Sequence, residues 1–230
     1  MSKIKQYIQL SNRAKAIIEA YEEPDKFRDN YFCLDTIEQQ SYINHLIVNN
    51  IPFVFRHIPL LYEQIIQYLA DVADLEYCDI RLIGSAKTGF SISPNPNYGN
   101  PFNEKSDLDF SIINNDLFQK LKHEFYLWEE LYSSGEMIPK TEKEKQYWDE
   151  NLKNVPSNLN NGFIDTYKIP NRDHFVLTRK LNDSLYLITF KIKEYHNINN
   201  GKASLRIYKN WSTFYKQLKR NTEFVLRNSQ

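Results

Sequence analysis

Two aspartates one residue apart, Asp107 and Asp109, open the run Ser106-Asp107-Leu108-Asp109-Phe110-Ser111-Ile112-Ile113. The apolar, β-branched content makes this a strand. Side chains alternate faces along a strand, so Asp107 and Asp109 point one way while Leu108 and Phe110 point the other. Two carboxylates roughly 7 Å apart on one face repel each other, and burial would drive one of them toward protonation. A divalent cation, Mg²⁺ or Mn²⁺, resolves the conflict and prefers such oxygen ligands. Upstream, the apolar run Ile80-Arg81-Leu82-Ile83 ends in Gly84-Ser85. A glycine after a strand permits a bend whose N–H groups face a phosphate; Ser85 adds a hydroxyl donor, and Lys87 and Thr88 offer further phosphate contacts. Metal carboxylates and a phosphate cradle on adjacent strands are the parts that phosphoryl or nucleotidyl transfer needs, because that chemistry asks for positioning and charge neutralisation.

Gly84-Ser85 followed by Ser106-Asp107-Leu108-Asp109-Phe110 resembles the signature of the DNA polymerase β-like nucleotidyltransferase superfamily. The resemblance covers residues 79–113 of the 230. It implies an α+β fold with a mixed sheet flanked by helices, with helical additions at both ends. Gly84 and Ser85 would hold the phosphates of a nucleoside triphosphate such as ATP, and Asp107 and Asp109 would hold Mg²⁺ or Mn²⁺. The acceptor would be a hydroxyl on RNA, a protein or a small molecule. One departure stands out: 21 residues separate Ser85 from Asp107, and the surplus is the Pro/Asn-rich stretch Ser93–Lys105, read as a loop over the site. Many members carry a third metal carboxylate on a neighbouring strand. Asp165, inside the patch Phe163–Tyr167, is one candidate, although it reads equally as an Asx-turn or helix-cap residue. Glu194 is a weaker one, late in its segment and among apolar neighbours. A complete three-acid site is therefore not visible, which keeps open a second function: a nucleotidyltransferase-like scaffold that no longer catalyses and serves as a binding or regulatory partner.

Composition narrows the other options. Cys33 and Cys78 are the two cysteines and the five histidines are scattered, so a disulfide framework or structural zinc site is not expected. The segment Gly84–Gly89 (GSAKTG) lacks the Gly-Lys-Ser/Thr ending of a Walker A loop. No apolar run approaches the ~20 residues of a membrane span, and the N-terminus MSKIKQYIQLSNRAK has no signal-peptide apolar stretch, so a reducing cytoplasm is the expected setting. The 29 basic and 29 acidic side chains cancel, but not locally: residues 1–167 hold 16 basic and 25 acidic, and residues 168–230 hold 13 and 4. The basic end suits a polyanion such as a triphosphate or RNA, or simply matches the acidic front.

The elements that would position the chemistry follow from periodicity. Residues 1–56 read as a helical segment packed on a domain spanning 57–230, with helices over 3–22 and 36–48. Pro59 starts a helix whose stripe of Leu61, Ile65, Leu69 and Val72 covers the sheet. After the acidic strand, Asn114 caps a helix with Leu117, Leu121, Phe125, Trp128 and Tyr132 on one side, and Thr141 with Glu144 forms a capping box for a helix to about Leu152. Residues 156–172 read as loop. Residues 185–195 and 203–209 read as two strands of a hairpin, and 211–226 as an amphipathic helix with Trp211, Phe214, Leu218 and Val225 inward and Lys216, Lys219, Arg220 and Arg227 outward.

Overall fold

A computed structural model describes residues 3–228. The fold is α+β, built on one four-stranded mixed sheet flanked by helices. Its strands are β1 (Ile80–Ile83), β2 (Leu108–Ile113), β3 (Phe163–Asp165) and β4 (Ala203–Tyr208), in the order β1-β2-β4-β3. β1 runs antiparallel to β2, β2 parallel to β4, and β4 antiparallel to β3.

Alternation along these strands divides the sheet into an apolar and a polar face. Ile80, Leu82, Leu108, Phe110, Ile112, Ile164, Leu205 and Ile207 are buried in the main core. Against them pack α5 (Pro59–Ala73), α7 (Asn115–Ser133), α8 (Glu142–Asn160) and α9 (Val176–His196). The other face carries Ile83, Asp109, Ser111, Ile113, Ser204, Arg206, Tyr208 and Asp165 by the same alternation. One end of it is closed by α10 (Trp211–Asn228), whose Phe214 joins Val48, Ile113, Phe163 and Tyr208 in a small apolar cluster. The other end stays open, and there the polar residues lie.

Helix starts follow the expected chemistry in most places. Pro59 occupies the first turn of α5, the Asn114 side chain accepts from Leu117 N at the start of α7, and that of Thr141 accepts from Glu144 N at the start of α8. The reciprocal bond of the Thr141 box goes instead from Lys140 N to Glu144. α3 (Pro24–Cys33) and α4 (Thr36–Ile43), the latter continued by one wide π turn over 44–49, form a second apolar cluster with Phe90 and Leu226. This cluster ties the N-terminal helices to the loop after β1 and to the end of α10.

Three segments depart from the sequence expectation. Residues 3–22 are not one packed helix but two short ones, α1 (Lys3–Ile8) and α2 (Asn12–Lys15), because Ser11 starts a new helix and is held by the Glu38 carboxylate through its N–H (2.6 Å) and hydroxyl (3.0 Å). Ile4, Tyr7, Ile8, Leu10 and Ile18 are consequently exposed, while Ala14 and Ile17 pack. α8 runs through Pro156 to Asn160, held by buried Val155 and Leu159, so the loop expected over 156–172 contracts to an Asn161-Gly162 turn, β3 and a 3₁₀ turn. Residues 185–195 are helix rather than strand. Leu181, Leu185, Ile188 and Ile192 recur at four, three and four residues and bury one stripe. The N-terminus of α9 has no local side-chain cap; Glu124 of α7 accepts from Leu177 N and Thr178 N, both at 3.0 Å, and from the Thr178 hydroxyl at 2.6 Å. The expected hairpin is thereby a helix-to-strand connection into β4, which is where the sequence placed it.

Candidate active site

The open end of the polar face forms the floor of a cavity of about 660 Å³, lined by Gly84, Asp107, Asp109, Ser111, Asp165 and Arg206 among others. Ser93 of the Pro/Asn-rich loop, Ile92 just before it and Asn221 of α10 contribute its walls. The loop is tied down by Ser91 N to Asn100 O (2.8 Å), Phe102 N to Gly89 O (2.8 Å) and the Tyr98 hydroxyl to Pro24 O (2.7 Å).

β2 brings Asp109 opposite Ile83 of β1 and Ser204 of β4. The Ser204 hydroxyl donates to Asp109 Oδ1 at 2.7 Å, and Lys202 N donates to Asp107 Oδ1 at 2.8 Å. Each aspartate thus commits one oxygen to a neutral donor, and no described residue donates to Oδ2 of either. Both carboxylates are approached by glycine. Gly84 has φ +72°, a conformation that L side chains rarely adopt, and a Cβ built there would lie 2.7 Å from Asp109 Oδ2. A Cβ on Gly201 would lie 2.5 Å from Asp107 Oδ1 and 2.8 Å from Lys105 O. Side chains at these two positions would fill the space beside the acids.

Burial pushes the Asp109 carboxyl above the usual carboxylate range; the Ser204 bond and the Arg206 charge oppose that, and Asp107 and Asp165 reinforce it. Asp165 is 5% exposed and is held in a bidentate pair, Arg206 Nε to Oδ1 at 2.6 Å and Nη2 to Oδ2 at 3.1 Å. It therefore belongs to the cavity, and as an ion-pair partner rather than a turn cap. Ser111 is fully buried, lines the cavity and has no hydrogen-bond partner for its hydroxyl. Such an orphaned group on a cavity floor suits a ligand atom.

The oxygen-rich pair Asp107 and Asp109, with an Oδ2 free on each and space kept by glycine, fits a hard divalent cation. Among the described residues no group of three or more acids, histidines or cysteines converges as a metal cage.

The remaining expected residues lie elsewhere. Ser85 opens the four-residue helix α6 (Ser85–Thr88) next to the cavity without lining it. Lys87 does not reach a phosphate position: α6 turns it to the side packed on residues 44–49, where it is 0% exposed with Nζ 3.5 Å from Val48 O. Thr88 uses its hydroxyl on Phe90 O (2.7 Å) and Gly84 O (3.2 Å), holding the turn. Glu194 sits on the exposed side of α9 paired with Lys191 at 2.7 Å, on the helix layer behind the apolar face, and is no third ligand. Sequence reasoning missed Lys202, Ser204, Ser111 and Arg206 as cavity residues, and Gly201 as the close neighbour of Asp107. For Ser111 the signal was its alternation with Asp109 along β2, and for Ser204 and Arg206 the alternation of β4, readable once Asp109 and Ser204 are known to be neighbours.

No family model, curated protein or solved structure matches the chain. Among the described residues no helix is long and apolar enough to cross a membrane.

Proposed function

We propose that the chain is a metal-dependent nucleotidyltransferase of polymerase-β-like architecture, moving a nucleoside monophosphate from a nucleoside triphosphate to a hydroxyl acceptor. The observation that carries this reading is the meeting of the Gly84 bend and the acidic strand in one cleft, with Asp109 Oδ2 occupying the space a side chain at position 84 would take. A bound Mg²⁺ or Mn²⁺ supplies charge neutralisation at a phosphoryl oxygen and lowers the pKa of the acceptor hydroxyl. Asp107 and Asp109 would hold it. The Lys202 N–H and the Ser204 hydroxyl orient their carboxylates so that Oδ2 of each remains for the ion. Gly84 keeps the approach clear, and the unpartnered Ser111 hydroxyl on the cavity floor would be a donor for a ligand oxygen that reached it.

The engagement of Asp165 by Arg206 favours one other reading, a nucleotide-binding module that does not catalyse, with RNA as a partner of the basic C-terminal third. Incubating the full chain with Mg²⁺, each α-labelled nucleoside triphosphate and total RNA separates the two. Incorporation of label by wild type and its loss in Asp107→Ala and Asp109→Ala supports transfer. RNA binding without incorporation, unchanged by Asp107→Ala, supports the module.

A further inference from the structure

The cleft holds three carboxylates and one guanidinium, and the guanidinium is not at the rim. Arg206 stands on β4 between Ser111 of β2 and Asp165 of β3 in the sheet register, one step along the polar face from the Asp109 and Ser204 pair. Its Nε and Nη2 take both oxygens of Asp165, whose side chain is nearly closed to solvent. Asp107 and Asp109 are treated differently, each receiving a single bond from an uncharged donor. A guanidinium keeps its proton at every working pH, and its planar fork matches a carboxylate on both oxygens. A divalent ion seeking Asp165 would have to break that pair and then sit beside a permanent positive charge.

We propose that Arg206 is a built-in cation that limits the cleft to one divalent ion per chain, held by Asp107 and Asp109, with Asp165 serving to position the guanidinium instead of a second metal. This rests on the reading of Asp107 and Asp109 as the metal-binding pair. In that arrangement part of the charge neutralisation a triphosphate needs is carried by the protein, next to the orphaned Ser111 hydroxyl on the same floor. Asp165 acts through Arg206 and is a positioning residue.

The test counts Mn²⁺ bound to the 230-residue chain, by the electron paramagnetic resonance of the free ion and by calorimetry, without reference to turnover. Wild type binds one Mn²⁺. Asp165→Asn, which keeps an acceptor for Arg206 but loses the charge, binds one with affinity changed by less than about threefold. Arg206→Met frees Asp165 and binds a second ion, and Arg206→Met combined with Asp165→Asn returns to one. Two ions on wild type, or a loss of about tenfold or more in affinity in Asp165→Asn, overturns the inference while leaving Asp107 and Asp109 as ligands. No ion on wild type overturns the inference and the metal-binding reading together. One ion on folded Arg206→Met also overturns the inference, and should that variant fail to fold, Arg206→Gln, which likewise removes the charge, is counted in its place.

Discussion

Replacing Lys87 with methionine should stabilise the protein at neutral pH and leave the cleft untouched. Lys87 is buried beneath the bend, with a single long contact from Nζ to Val48 O. Burial, aided by the Arg81 charge, pushes its ammonium from the ordinary 10.5 down to about 7. The folded chain therefore holds this proton less tightly than the unfolded chain. Between about pH 7 and 10.5 the unfolded state binds more protons at this site, so its contribution to stability is complete above pH 10.5 and falls as pH drops toward 7. At ~1.4 kcal/mol per pH unit, the fall reaches an upper limit of about 5 kcal/mol. Methionine has a similar length and no charge to desolvate. Urea unfolding of wild type and Lys87→Met at a series of pH values should give a variant more stable by about 2–5 kcal/mol at pH 7, with the gap closing as pH approaches 10.5. A gap that stays flat across that range, or a destabilised variant, would refute the burial argument. Mn²⁺ and nucleotide affinities should match wild type; a tenfold drop would return Lys87 to the phosphate site.

Three further outcomes follow from the geometry. Gly84→Ala sets a Cβ against Asp109 Oδ2 in a backbone conformation unsuited to alanine, so it should cost about 1–3 kcal/mol in unfolding free energy and weaken Mn²⁺ binding by about tenfold in calorimetry. An unchanged affinity would mean that Oδ2 is not used. Glu124→Ala removes the acceptor for three donors at the start of α9 and should cost roughly 1.5–3 kcal/mol, read as a lower urea midpoint with Mn²⁺ affinity unaltered. Ser111→Ala removes a buried hydroxyl that has no partner, so the unliganded chain should gain about 1 kcal/mol or more of stability, whereas nucleotide affinity measured by fluorescence titration should fall about fivefold; equal affinities would show that the hydroxyl meets no ligand.

Much of what mattered was local and could be read without coordinates. The strand that bears Asp109 with Asp107 just ahead of it, the glycine that ends β1, the caps at Asn114 and Thr141, and the stripes of α5, α7 and α10 all depend on neighbours a few residues apart. Alternation alone sets which face the two acids share. What depended on residues far apart could not be read that way. The second half of α9 looked like a strand because Leu185–Tyr195 alternates and is rich in β-formers, and it is a helix because α5 and the sheet offer a groove for one stripe while Glu124, more than fifty positions upstream, caps its start. Lys87 resembled a phosphate ligand by spacing, yet a single turn of α6 aims it at Val48. Asp165 and Arg206 meet only because β3 and β4 pair antiparallel, forty-one residues apart in the chain. Sequence determined which side chains could do chemistry and the faces they occupy within each strand; strand order and helix packing, set by burial of apolar surface across the whole chain, decided which of them share a cleft.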